Sequence, residues 1–145
     1  MNNKKKFNLV KFPLKKNVGK RKWGKEILLV LIPKLLTLKL LIIKKGSKGG
    51  LQYHNKKNEC GYILSGKLKF IFQNKKGKLT RKILKKGDVF HIPPHSIHQE
   101  EAITECKIIE ASSSHFNDRV RVENMFNIND TRGLKSTKIK DIIHL

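Results

Sequence analysis

Gln52, His54 and Glu59 crowd into the stretch 49–66, and His98 closes a second stretch that begins at Gly87. All four are metal-ligand types. Imidazole suits Zn, Fe, Ni, Cu and Mn, while carboxylate and amide oxygens favour the harder ions of that series. Three or four such ligands hold a divalent ion and still leave coordination positions for a substrate. The spacing points the same way. Side chains alternate in an extended chain, so Gln52 and His54 project from one face. Glu59 arrives on the next strand, after the polar turn 55–58, and His98 lies beyond a strand and a Pro93-Pro94 turn. One such cluster alone is weak evidence. Two of them, each beside a strand-ending glycine, predict a single metal ion held between two parts of a sheet.

Short extended segments must do the positioning. Apolar and β-branched runs over 26–32, 35–43, 51–54, 59–64, 67–73, 79–84, 89–92 and 104–111 read as strands. Pro33-Lys34, the glycine-rich 44–50, Ser65-Gly66 and Asn74-Lys75-Lys76-Gly77 read as the turns between them. Within 67–73, Leu68, Phe70 and Phe72 share one side. Pro33 argues against a helix over 26–43, and Pro93-Pro94 argue against a central sheet position there. Short strands at this near-regular spacing predict an all-β barrel or sandwich. Trp23, Cys60 and Cys106 are expected to be buried. Residues 1–22, rich in Lys and Asn, read as a basic arm, 23–126 as the barrel domain and 127–145 as a polar tail. Within the tail, 135–145 fits a short helix or a strand equally.

At 145 residues the chain is long enough for one domain with a sizeable core. Its net charge of +22 raises nucleic acid or an anionic membrane surface as a partner. Lysine supplies most of that charge, spread from Lys4 to Lys140, and the only arginines are Arg21, Arg81, Arg119, Arg121 and Arg132. Nucleic-acid readers favour arginine for bidentate contacts, so no nucleic-acid partner is expected, and the charge suits an anionic small molecule equally well. Pro13 and Lys15 interrupt the segment after the basic start, and Pro33, Lys34 and Lys39 interrupt 27–43. Neither a secretory leader nor a membrane span is expected. Two cysteines without a CxxC spacing suggest neither a zinc ribbon nor a disulfide scaffold. The expected location is the reducing cytoplasm.

The two clusters resemble the two motifs of the cupin superfamily. Glu59, six residues and Gly66 fit the end of the first motif; Gly87, five residues and Pro93 fit the second, with His98 at its metal histidine. More closely, Leu51-Gln52-Tyr53-His54, Glu59 and Leu64-Ser65-Gly66 resemble the small cupin domains related to mannose-6-phosphate isomerase. Similar domains form the C-terminal part of mannose-1-phosphate guanylyltransferases. Lys22-Trp23-Gly24 and the segment from Asp118 to Glu123 resemble that group's flanks. Lys56 stands where the first motif has its second histidine, and His95 where the second motif has a glycine.

The resemblance implies a single-domain jelly-roll barrel of the cupin type. It implies one divalent metal ion, Zn or Mn with Fe as the further option, on Gln52, His54, Glu59 and His98. It implies aldose–ketose isomerisation of a phosphorylated or nucleotide-linked sugar through a metal-stabilised enediolate. His95 or Glu101 would then move the proton, Lys56 and Arg121 would hold phosphate, and the chain would pair as a homodimer. Two other classes stay open: a non-catalytic cupin that binds a sugar or anion, and an Fe(II) dioxygenase built on two histidines and a carboxylate.

Overall fold

The computed structural model describes residues 16–17, 22–115 and 118–128. In chain order the strands are β1 (Lys16–Asn17), β2 (Gly24–Ile32), β3 (Leu36–Ile43), β4 (Gln52–His54), β5 (Glu59–Ser65), β6 (Lys67–Gln73), β7 (Leu79–Lys85), β8 (Val89–Ile92), β9 (His98–Ala102), β10 (Cys106–Ser113) and β11 (Arg119–Arg121). A 3-10 turn, Glu123–Phe126, follows. The strands form two antiparallel sheets, β1-β2-β3-β10-β5-β8 and β11-β4-β9-β6-β7. This is a single-domain all-β jelly roll. No helix among the described residues is long and apolar enough to cross a membrane.

Alternation decides what faces inward. On β3, Thr37, Lys39, Leu41 and Ile43 are buried while their neighbours are more exposed. On β6, Leu68 and Phe70 are buried and Phe72 packs against the same core, as period two requires. Leu41, Ile43, Ile63, Leu68, Phe70, Leu84, Phe90, Ile92 and Ile108 form one apolar cluster between the sheets, with Trp23 packed against it. Toward one end of the barrel the inner face of the first sheet changes character. Leu41 pairs with Ile108, which pairs with Ile63; the next row is Lys39, Glu110 and Gly61, and the next Thr37, Ser112 and Glu59. Three neighbouring strands thus switch from apolar to polar at one level, and an interior lined with charge results. Buried polar groups persist only when partnered. Thr37 Oγ1 lies 2.8 Å from Ser112 Oγ, and Lys39 Nζ donates to Glu26 Oε1 at 2.7 Å.

The structure differs from the sequence reading in four places. β9 and β11 fall where no strand was expected. Strand β9, His-Gln-Glu-Glu-Ala, lacks β-branched and aromatic residues, and its place between β4 and β6 comes from its neighbours rather than its own propensity. β10 starts at Cys106, later than residue 104, after a bend at 103–104. Cys60 is exposed, because the inward positions beside it belong to Glu59 and Gly61; Cys106 is buried. Of the expected arm, Lys16–Asn17 pair with Leu28 and Ile27 at the edge of β2. The rest of 1–21 and the tail from 129, including 135–145, lie outside the described residues.

Candidate metal centre

β4 and β9 lie side by side with Gln52 opposite His98, and β5 faces them from the other sheet. The ligand atoms of His54, Glu59 and His98 all come within 4.8 Å of one another. Glu59 Oε1 lies 3.5 Å from His54 Nε2 and 3.6 Å from His98 Nε2. All three residues are buried. Gln52 shares the His54 face of β4 and lines the same cavity.

The outer contacts of the two imidazoles fix their tautomers. His54 Nδ1 lies 2.9 Å from Asp118 Oδ1, and His98 Nδ1 lies 2.9 Å from the Ser96 carbonyl oxygen. Both partners accept only, so each Nδ1 carries the proton and donates it, which leaves Nε2 with a lone pair. Burial drives both histidines below their ordinary pKa, against the pull of Glu59, and so favours the neutral ring. Burial would raise the Glu59 pKa, but the Lys57 ammonium, by its charge and its hydrogen bond, outweighs it and holds the carboxylate ionised. Three lone-pair donors therefore converge on one point with no proton of their own to share. That donor set fits a divalent ion, and a carboxylate or carbonyl behind each histidine is the usual support of a metal-binding imidazole.

Asp118 does two jobs. Its Oδ1 orients His54, and its Oδ2 accepts from the backbone N–H groups of Lys56 at 2.8 Å and Lys57 at 2.7 Å, which folds the turn between β4 and β5. Asp118→Asn is expected to weaken Zn²⁺ affinity about 10- to 100-fold, the usual cost of losing such an outer partner. Calorimetric titration of the chelator-stripped protein checks this, and an unchanged affinity would show that Asp118 does not set the imidazole.

The cavity over the cluster has a volume of about 100 Å³ and is lined by charge from both sheets: Lys39, Lys57 and Arg119 against Glu26, Glu59, Glu100 and Glu110. Burial, with repulsion from Glu110 and Glu59, pushes the Glu100 carboxyl up to about 8, so it is mostly protonated at neutral pH. Three basic side chains, Lys39, Lys57 and Arg119, then face the three further glutamates Glu26, Glu59 and Glu110.

Four expected roles need correction or relocation. Glu101 points to the other side of β9 and pairs with Lys69 at 2.7 Å; the carboxyl that β9 sends into the cavity is Glu100. The signal was present, since Glu100 is two residues from His98 and shares its face. Lys56 is exposed, and its neighbour Lys57 lines the cavity instead. Arg121 pairs with Glu123 at 2.5 Å, while Arg119 lines the cavity. His95 adopts φ 64°, the left-handed region its motif position demands of a glycine. Its exposed ring lies 5.8 Å from that of Tyr53 and lines a separate cavity of about 460 Å³, which meets the metal-centre cavity only at His98. His91 is exposed and lies 2.7 Å from Asn58 Oδ1.

Solved structures share the fold. CapF of Staphylococcus aureus, a capsular polysaccharide assembling protein, superposes with a TM-score of 0.66 at 21% identity over 77% of this chain and 32% of its own. An RmlC-like cupin of Shewanella frigidimarina gives 0.62 at 20%, over 77% of this chain and 96% of its own. KdgF of a Halomonas species gives 0.58 at 20%, over 72% and 88%. The chain thus spans about a third of the length of CapF and most of the length of the other two. No curated protein sequence matches it. Residues 39–111, which hold His54, Glu59 and His98 and make up half of the chain, match the Cupin domain family, and the chain belongs to the cupin superfamily.

Proposed function

We propose that this cupin is a metal-dependent enzyme that moves a proton between neighbouring carbons of a small acidic sugar derivative, as an aldose–ketose isomerase does. The observation that carries the reading is the convergence of His54 Nε2, His98 Nε2 and Glu59 Oε1 in a cavity that also holds Glu100. A divalent ion held there would supply Lewis acidity toward a substrate carbonyl or hydroxyl oxygen. The other steps fall to the chain's own groups. Glu100 lies on the same strand face as His98 and is placed to exchange a proton with a substrate carbon or oxygen. Gln52 offers an amide oxygen and an N–H₂ donor from the neighbouring strand. Lys39, Lys57 and Arg119 hold the charge of the wall in balance and face the acidic group of the substrate. The likeness to a capsular polysaccharide assembling protein is in keeping with a sugar-derived substrate.

Proton transfer next to a carbonyl leaves a trace in heavy water. Metal-loaded protein is expected to carry solvent deuterium into one carbon of an aldose or ketose phosphate, followed by NMR. Glu100→Gln, with metal affinity intact, is expected to slow that exchange at least about 100-fold. No exchange with any of a panel of sugar phosphates would overturn the isomerase reading, and full exchange in Glu100→Gln would move the proton-transfer role elsewhere.

A further inference from the structure

The turn that carries Lys57 is folded so that Lys56 points to solvent while Lys57 enters the barrel. There its ammonium donates to Glu59 Oε2 and, at 3.0 Å, to Glu110 Oε1. Its side chain is only 11% exposed. Glu110 Oε1 in turn lies 3.8 Å from Lys39 Nζ, and Lys39 pairs with Glu26. A row of alternating charge thus runs along the inner wall and ends on the one anionic member of the ligand triangle. Glu59 is shared: Oε1 faces the two imidazoles, and Oε2 faces an ammonium.

We propose that Lys57 is an internal cation that competes with the divalent ion for Glu59 and so sets how tightly the centre holds metal. The proposal rests on the reading of His54, Glu59 and His98 as a metal site. Both histidines are neutral ligands, so Glu59 is the only charge the triangle offers an incoming ion. That charge is already matched by Lys57. The ion therefore meets a less basic carboxylate and, next to it, a fixed positive charge in a buried setting where Coulomb terms are strong. The same ammonium lets the metal-free barrel keep a buried carboxylate without a divalent partner. A centre built this way loads and unloads; it is not a permanent structural ion.

The opposing role for Lys57 is that of an outer donor that only orients Glu59, as second partners of metal ligands often do. The two roles differ in sign. Loss of a competing cation tightens metal binding, while loss of an orienting donor weakens it.

Zn²⁺ alone is titrated calorimetrically into the chelator-stripped full chain, as wild type, Lys57→Met, and Lys57→Met/Glu110→Gln. Methionine keeps length and volume without charge. The double variant also removes the second carboxylate that Lys57 neutralises, which protects the fold if the single variant fails. His98→Ala supplies the background from surface histidines. The expected result is Zn²⁺ affinity at least about tenfold tighter in the variants, on the scale over which partners of metal ligands act. With it should come a lower metal-free Tm and a larger rise in Tm on Zn²⁺ addition than in wild type. Equal or weaker Zn²⁺ affinity in both variants overturns the role of Lys57 and leaves the metal centre standing. Zn²⁺ uptake by the variants but not by wild type upholds the competition for Glu59 and overturns the reading of the native centre as one that loads metal. Uptake by none of them above the His98→Ala background overturns both readings.

Discussion

His98→Ala is expected to reduce bound metal from near one equivalent to none, with the barrel still folded. His98 Nε2 is one of three converging donor atoms. Structural zinc sites bind with roughly 10–16 kcal/mol. Removing one of three or four ligands therefore forfeits about 3 kcal/mol, more than a hundredfold in affinity. The fold should survive at a cost. The imidazole stacks on Phe70 at 6.2 Å and borders both cavities, so deleting it opens space beside an existing void without breaking a strand pair. A loss of about 2–4 kcal/mol is typical for a large-to-small change in a core. Elemental analysis and Zn²⁺ calorimetry read the first effect, and urea denaturation the second. His115→Ala serves as the control: that ring is exposed and bonds only its neighbour Ser113 among the described contacts, so metal content should not change. Equal metal in His98→Ala and wild type would remove His98 from the centre.

Gly66→Ala should destabilise the barrel by about 3 kcal/mol or more. This glycine joins β5 to β6 at φ +91°, outside the region that L-residues adopt readily. A Cβ there would stand 2.1 Å from the Glu105 carbonyl oxygen and 2.9 Å from Cys106 Cα. Both are backbone atoms of the segment leading into β10, so no side chain can swing aside. Backbone strain contributes about 1–3 kcal/mol and forced overpacking a similar amount. Gly87 separates the two terms. It has φ +92°, yet a Cβ there meets nothing within 4 Å, so Gly87→Ala should show the strain alone. Urea denaturation of both variants checks the difference. A Gly66→Ala loss no larger than that of Gly87→Ala would mean that the turn and the 105–106 backbone relax apart.

Much of this architecture was written locally in the sequence. The alternation in β6 and the turn at Asn74-Lys75-Lys76-Gly77 depend on near neighbours only, and they appear as read. The same holds for Gln52 and His54 on one face of β4. What was not legible depends on distant partners. β9 is a strand because β4 and β6 flank it, although its own residues favour no such state. Glu100 rather than Glu101 enters the cavity because of parity with His98, which could have been counted once a strand there was recognised. Lys57 rather than Lys56 turns inward because Asp118, far along the chain, holds the turn by both backbone N–H groups. Motif position alone directed attention to Lys56, since that is where the second histidine of the family would stand. The charged inner wall of β2, β3 and β10 is likewise a product of register. Glu26, Lys39 and Glu110 become partners only when their strands are aligned.

The most direct test of the central claim is an anomalous difference map from crystals of the full chain grown with Zn²⁺. The result expected is one strong peak in the triangle of His54 Nε2, His98 Nε2 and Glu59 Oε1, with the Lys57 ammonium still on the other oxygen of Glu59. A peak only at exposed histidines such as His91, His95 or His115, or an empty triangle at saturating Zn²⁺, would contradict it.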